Sequence, residues 1–197
     1  DTLSLHDALP ILNSSSDLFG RDIDFGYLDK HVNSPKKFHP ELVLNSESSS
    51  MLRALRSEIR RANSFTFSVA FVSPRAIALL KQELLDFQGV GRIITSDYLG
   101  FNSPEAFAEL LNLRKLGLDI RISEKDSFHP KGYVFEQPEG VTAILGSSNL
   151  TAGALASNHE WNLKVSALRE SDLAAQFTNL LDEELFSSTP LTQEWRS

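Results

Sequence analysis

The sequence predicts an α/β fold, a mixed and largely parallel β-sheet flanked by helices, and three observations carry that prediction. Between residues 48 and 123, β-branched and aromatic runs alternate with stretches whose apolar residues recur at helical spacing, the rhythm of βαβ units with parallel strands. Beyond residue 130, two strand-like runs are separated only by Pro138, Glu139 and Gly140, the turn of a hairpin. The chain of 197 residues, 41% hydrophobic and 23% charged, has the composition of a folded protein long enough to bury its own core. It contains no cysteine, which excludes a disulfide framework, a thiolate zinc site and a cysteine nucleophile, and accords with a cytoplasmic location. A net charge of -7 argues against a protein that coats nucleic acid non-specifically, although a local cleft needs only a few aligned cations. No apolar run approaches the roughly 20 residues that span a bilayer, and the N-terminus lacks the basic region of a signal peptide.

Residues 1–11 resemble a translated sequencing-library adapter and are expected to be non-native or disordered, so His6 and Asp7 carry no weight as site residues. Residues 12–47, rich in Ser and Asn with two prolines, are expected to be a loop-rich lead-in. Within it, Phe38–Leu44 suits a short extended piece, Leu42 and Leu44 alternating around Val43. Residues 48–187 read as a single domain. Ser48–Ser50 offer caps for a helix whose inner stripe is Leu52, Leu55, Ile59 and Ala62. Arg53, Arg56 and Arg60 form a second stripe, read as a solvated face in preference to a phosphate-backbone patch. Phe65–Val72 is a buried strand, and Pro74 opens a helix with Ile77, Leu80 and Leu84 inward. After the strand Arg92–Ser96, Pro104 opens a helix with Phe107, Leu110, Leu111 and Arg114 that closes at Gly117. Strands follow at Asp119–Ser123, Lys131–Phe135, Val141–Leu145 and Glu160–Ser166. Ser171–Phe186 is a helix with Leu173, Phe177, Leu180 and Leu181 inward, and residues 188–197 are expected to be a flexible tail or the start of a linker.

The chemistry concentrates in Phe128–Tyr133 (FHPKGY), Gly146–Thr151 (GSSNLT) and Asn158–Asn162 (NHEWN). Residues i and i+2 of a strand share a face, so His129 and Lys131 point together, as do Ser147 and Asn149 on the neighbouring strand. An imidazole, an ammonium, a hydroxyl and an amide then converge, a set suited to a phosphodiester: a nitrogen nucleophile with donors for the non-bridging oxygens. Glu160 is placed to accept from the second ring nitrogen of His129 and hold its tautomer. Strand parity puts Glu136 on the face opposite His129 and Lys131, a structural position. Thr151 suits equally a helix cap or a phosphate contact. His159 faces away as a surface residue, while packing is the stronger reading for Tyr133 and Trp161 against base stacking. The segment Phe38–Glu41 echoes Phe128–Lys131, but His39 lacks the following lysine and any Gly-Ser-x-Asn, and His31 has no visible partner. No metal-ligand spacing or Gly-x-Gly-x-x-Gly is present, so neither a metal nor another cofactor is expected.

The order His-x-Lys, Gly-Ser-x-Asn and an acidic residue eleven positions after Asn149 resembles the phospholipase D superfamily. Ser68–Val72, Ile94–Leu99, Phe128–Tyr133, Gly146–Thr151 and Glu160–Leu163 resemble, more narrowly, the phospholipase D-like domain at the front of certain bacterial DEAD/DEAH-box helicases and restriction-type nucleases. The resemblance implies a metal-independent phosphodiesterase, here a DNA nuclease, working through a phosphohistidine. It casts His129 as nucleophile, Lys131 and Asn149 as phosphate holders, Ser147 as their assistant and Glu160 as the acidic partner. The superfamily's Asp five residues after the lysine is Glu136 in this chain, and Pro130 fills the variable slot, where its missing N–H is tolerable only at an edge or strand start. The superfamily uses two His-x-Lys copies and this chain has one, which implies a homodimer with a shared site. Partners are then DNA, a second copy and a helicase module on the natural chain, and no membrane. The alternatives are a catalytically weak nucleic-acid-binding module and a lipid phosphodiesterase.

Overall fold

Serine hydroxyls start the four long helices described in the computed structural model. Ser50, Ser73, Ser103 and Ser171 each accept a hydrogen bond from the backbone N–H three residues on, opening α1 (Met51–Arg61), α2 (Pro74–Asp86), α3 (Pro104–Lys115) and α5 (Asp172–Phe186). Pro74 and Pro104 occupy the first turns of α2 and α3, where no amide donor is needed. At the far end of α3, Gly117 adopts φ 101°, a left-handed conformation that costs glycine nothing. The structure describes residues 40–97 and 102–193 together with Asp17 and Gly20. Residues 1–39 form a separate unit, and the expectations for residues 1–11, His6, Asp7, His31 and His39 lie outside the described residues.

The strands are β1 (Glu41–Val43), β2 (Ser64–Val69), β3 (Val90–Thr95), β4 (Asp119–Ser123), β5 (Lys131–Gln137), β6 (Gly140–Gly146), β7 (Asn162–Leu168) and β8 (Ser188–Pro190). They form one sheet in the order β1-β7-β6-β5-β2-β3-β4-β8. The mixed α/β class stands, but the sheet is mostly antiparallel, not largely parallel. Only β2–β3 and β3–β4 run parallel, through the α2 and α3 crossovers, and the other five pairs are antiparallel. The physical reason is the return after β4: the chain crosses to the other side of β2, enters β5 antiparallel and continues through β6 and β7 as a meander, which needs no crossover helix.

One face carries the main core. Phe67 packs edge-on against Tyr133 and Phe135, at ring-centroid distances of 5.1 and 5.8 Å, beneath Leu55 and Ile59 of α1 and Leu80 of α2. Burying each such side chain contributes roughly 1.5–3 kcal/mol. The other face is covered by α5, whose Phe177 packs on Val134 and Ala143. Leu173 and Leu180, expected inward on α5, are exposed, because this shallow second core accepts only Phe177 and, in part, Leu181. The expected alternation at the extended piece holds in β1: Val43 is buried, with Leu42 and Leu44 outward. The expected tail begins as β8, paired with β4, and Leu191 is fully buried. The arginine stripe is only partly solvated, since Arg56 and Arg60 pair with the buried Glu83 of α2.

Candidate active site

β2 and β5 pair antiparallel with Val69 opposite Lys131, which sets the residues beyond β2 beside those before β5. The N–H of Ala70 donates to the carbonyl of Pro130 at 3.0 Å, so the proline sits just before β5, where its missing donor leaves nothing unpaired. One residue further, Phe71 meets His129, the rings edge to face at 5.4 Å. The Lys131 ammonium donates to His129 Nδ1 at 2.9 Å and lies 3.3 Å from both Nε2 and the His129 carbonyl. His129 is exposed and Lys131 half-buried. Burial holds the Lys131 ammonium below the usual lysine range, and the carboxylate of Glu160 partly opposes that shift.

Gly146, the last residue of β6, presses against β7: a Cβ there would lie 2.2 Å from the Trp161 carbonyl. Ser147 and Asn149 therefore lie beyond the strand and not on it, around a fully buried Ser148. Ser148 is the anchor. Its N–H donates to Asn162 Oδ1 at 3.2 Å, its hydroxyl accepts from Asn162 Nδ2 at 2.9 Å, and its carbonyl accepts from the buried Tyr133 hydroxyl at 3.0 Å. Burial first, and the Glu160 carboxylate second, push the Tyr133 hydroxyl well above its usual range, so it stays a donor. Asn149 is tied to the segment that follows β2 by the Phe71 N–H, which donates to its Oδ1 at 3.3 Å. With Oδ1 so used, Nδ2 is the end that Asn149 can offer an anionic oxygen.

The expected contact of Glu160 with His129 is not the one formed. Ser147 donates its hydroxyl to Glu160 Oε2, and Asn158 Nδ2 lies 3.4 Å from Oε1. The reason is the strand boundary: β7 begins at Asn162, so Glu160 belongs to the irregular segment after α4 (Ala152–Ala156), and strand parity does not govern it. Glu160 reaches the His129–Lys131 pair through the field it exerts on Lys131. Thr151 serves as a cap, its hydroxyl accepting from the Ala154 N–H at 3.4 Å. Glu136 lies near the far end of β5, beside Thr178 and Asp182 of α5. His159 is exposed, as expected of a surface residue, and its Nε2 accepts from the Trp161 indole N–H at 3.2 Å. Tyr133 is packed, whereas Trp161 is not: it is 69% exposed.

Three participants escape a reading of the sequence: Phe71 against His129, Asn158 against Glu160, and the Asn162 clamp on Ser148. For Phe71 the signal exists only once β2 and β5 are known to be antiparallel neighbours. Among the described residues, no helix is long and apolar enough to cross a membrane.

The fold and this site define a phosphodiesterase-type α/β domain, with an imidazole, an ammonium, an amide and a carboxylate-bound hydroxyl at one end of the sheet. Residues 55–185, well over half the chain, match the family described as cardiolipin synthase, PLD-like domain. The chain belongs to this phospholipase D-like family. Its fold is shared with Nuc from Salmonella typhimurium, a phospholipase D family member, at a TM-score of 0.60 and 19% identity, covering 77% of this chain and 97% of that one. NucT from Helicobacter pylori gives a TM-score of 0.60 at 16% identity, covering 78% and 99%. Phosphatidylserine synthase from Haemophilus influenzae gives 0.57 at 17% identity, covering 78% of this chain and 39% of that one. No curated protein matches the chain.

Proposed function

We propose that the domain is a DNA nuclease that needs no metal ion and works through a phosphohistidine. The observation that carries this reading is the gathering of His129, Lys131, Asn149 and the Ser147–Glu160 pair at one end of the sheet. A ring nitrogen of His129 attacks phosphorus and the P–O bond to the leaving nucleoside breaks, that oxygen taking a proton from a general acid. Water then cleaves the P–N bond, releasing the phosphate monoester and restoring the imidazole. Lys131 and Asn149 Nδ2 donate to the non-bridging oxygens, and Ser147 joins them by turning its one hydroxyl hydrogen from Glu160 to the phosphate when substrate binds. The general acid is His129 of a second copy, in a homodimer whose two-fold axis passes through the site. Membership of a helicase or restriction system is supported by the resemblance of the motifs to such front-end domains.

Labelled single- and double-stranded DNA incubated with the protein in EDTA tests the reading. Cleavage is expected to persist in chelator and to vanish in His129→Ala. Strict dependence on added Mg²⁺ defeats the phosphohistidine route, and DNA binding without any turnover selects a binding module. A row of exposed leucines favours a second reading, a lipid phosphodiesterase. Leu42 and Leu145 are both cross-strand partners of Leu163, next to the site. Headgroup release from phospholipid vesicles with no action on DNA would select it.

A further inference from the structure

We propose that Trp161 is the stacking platform of a nucleobase subsite beside the phosphate-binding groups, which makes single-stranded DNA the substrate class. This rests on the nuclease reading above. A tryptophan normally buries most of its large apolar surface, and this one is 69% exposed. Its backbone is nonetheless fixed on both sides by the site. The Trp161 N–H donates to Ser147 Oγ at 3.1 Å, and its carbonyl accepts from the Ser147 N–H at 3.0 Å. The side chain thus emerges directly beside the hydroxyl assigned to phosphate and one residue after Glu160.

The ring is also oriented. Its only polar atom, the indole N–H, is satisfied by His159 Nε2 at 3.2 Å, which leaves the ring with π-faces to offer a ligand. Every nucleobase presents a matching face, but only when it is out of a duplex stack. Charge points the same way. A net charge of -7 gives the protein no overall attraction to DNA, so an uncharged source of binding beside the few site cations adds to affinity. Stacking supplies one.

The test uses the full chain in a His129→Asn background, so that binding is read without turnover. Fluorescently labelled oligothymidine is compared with an oligonucleotide of equal length and charge built from abasic residues. Trp161→Ala is expected to weaken binding of the thymidine strand roughly 5- to 100-fold, Trp161→Phe by less, and neither to alter binding of the abasic strand. The slope of affinity against salt should be unchanged, because no phosphate contact is removed. Equal losses on both strands overturn the proposal. So does a loss that appears together with a change of oligomeric state in sedimentation, which would make the ring a protein-contact residue. Absence of binding to either strand by the parent protein overturns the nuclease reading itself.

Discussion

Asn162 is the side chain on which the site's loop depends most, and Asn162→Ala is the sharpest perturbation the structure offers. The residue is 3% exposed at the start of β7. Its Nδ2 donates to the Val43 carbonyl at 3.2 Å and to Ser148 Oγ at 2.9 Å, while Oδ1 accepts from the Ser148 N–H at 3.2 Å. Truncation removes all three bonds, each worth a net ~1 kcal/mol, and leaves the buried Ser148 N–H without its acceptor at a further ~1–2 kcal/mol. The expected loss is therefore about 4–5 kcal/mol, which at roughly 2–4 °C per kcal/mol for a domain of this size lowers Tm by about 8–20 °C. Asn162→Asp, which keeps the acceptor but loses both donations and buries a charge, is expected to be at least as damaging. Activity should fall independently of unfolding. Ser148 is flanked by Ser147 and Asn149, and a displacement on the order of 1 Å costs about 100-fold in rate. Thermal melts and kcat/KM on a phosphodiester, the latter well below the variant's Tm, measure both effects. A melting point within about 2 °C of the parent would refute the assigned clamp. A rate loss matching only the unfolded fraction would refute the link to the site.

Three further outcomes follow from the charges. Glu160→Gln removes the carboxylate that raises the depressed Lys131, so the alkaline limb of kcat/KM should move to lower pH, while Glu136→Gln leaves it in place; an unmoved limb in Glu160→Gln contradicts the pairing. His129→Ala should abolish turnover with an unchanged Tm, because the ring is exposed, and near-normal cleavage would show that the nucleophile is another group. Burial holds the Glu184 carboxyl above its ordinary value of 4.5, outweighing the Ser68 hydroxyl bonded to it at 2.6 Å and the nearby Lys125. The folded state then binds that proton more tightly than the unfolded chain, so ionising Glu184 costs stability as pH rises from 4.5 through the raised value. Glu184→Gln, which keeps an acceptor for Ser68, should accordingly melt above the parent at pH 8 and level with it at pH 4; an equal gap at both pH values rules this out.

What the sequence discloses of this protein is what lies contiguous in it. The helices α1–α3 are written in serine caps, prolines and apolar stripes, and β2–β4 in the runs between them. His129, Lys131, Ser147 and Asn149 are legible because each pair sits in one short segment. Glu160 is legible as a residue but not in its contacts, since its partner depends on where β7 begins, and a boundary two residues later places it in an irregular segment before the strand. The antiparallel share of the sheet was hidden for a related reason. Local patterning shows a hairpin at Pro138–Gly140, but nothing local says on which side of β2 that hairpin docks. Trp161 reads as core by residue type, because type alone carries no information about what stands over it.

The docking side of that hairpin is also what assembles the site. β2 is the switch of the sheet, with a parallel neighbour on one side and an antiparallel one on the other, and open α/β sheets bind ligands at the carboxyl end of such a strand. Because β5 runs against β2, its first residues lie at that end. Because β6 runs against β5 and β7 against β6, the end of β6 and the start of β7 return to the same end. His129 and Lys131, then Ser147 and Asn149, then Glu160 are thus successive visits of one meander to one edge. The interval from Lys131 to Ser147 is set by the lengths of β5 and β6 and the turn between them, not by any contact between the motifs. The parallel half contributes the fixed wall. The Ala70 carbonyl accepts from Thr95, Ser96 and Asn102, and Asn102 Oδ1 accepts from the Val72 N–H, locking the segment from which Phe71 reaches both His129 and Asn149. A rigid parallel edge and a meander of fixed strand length hold the His129–Lys131 pair and the Ser147–Asn149 segment in register.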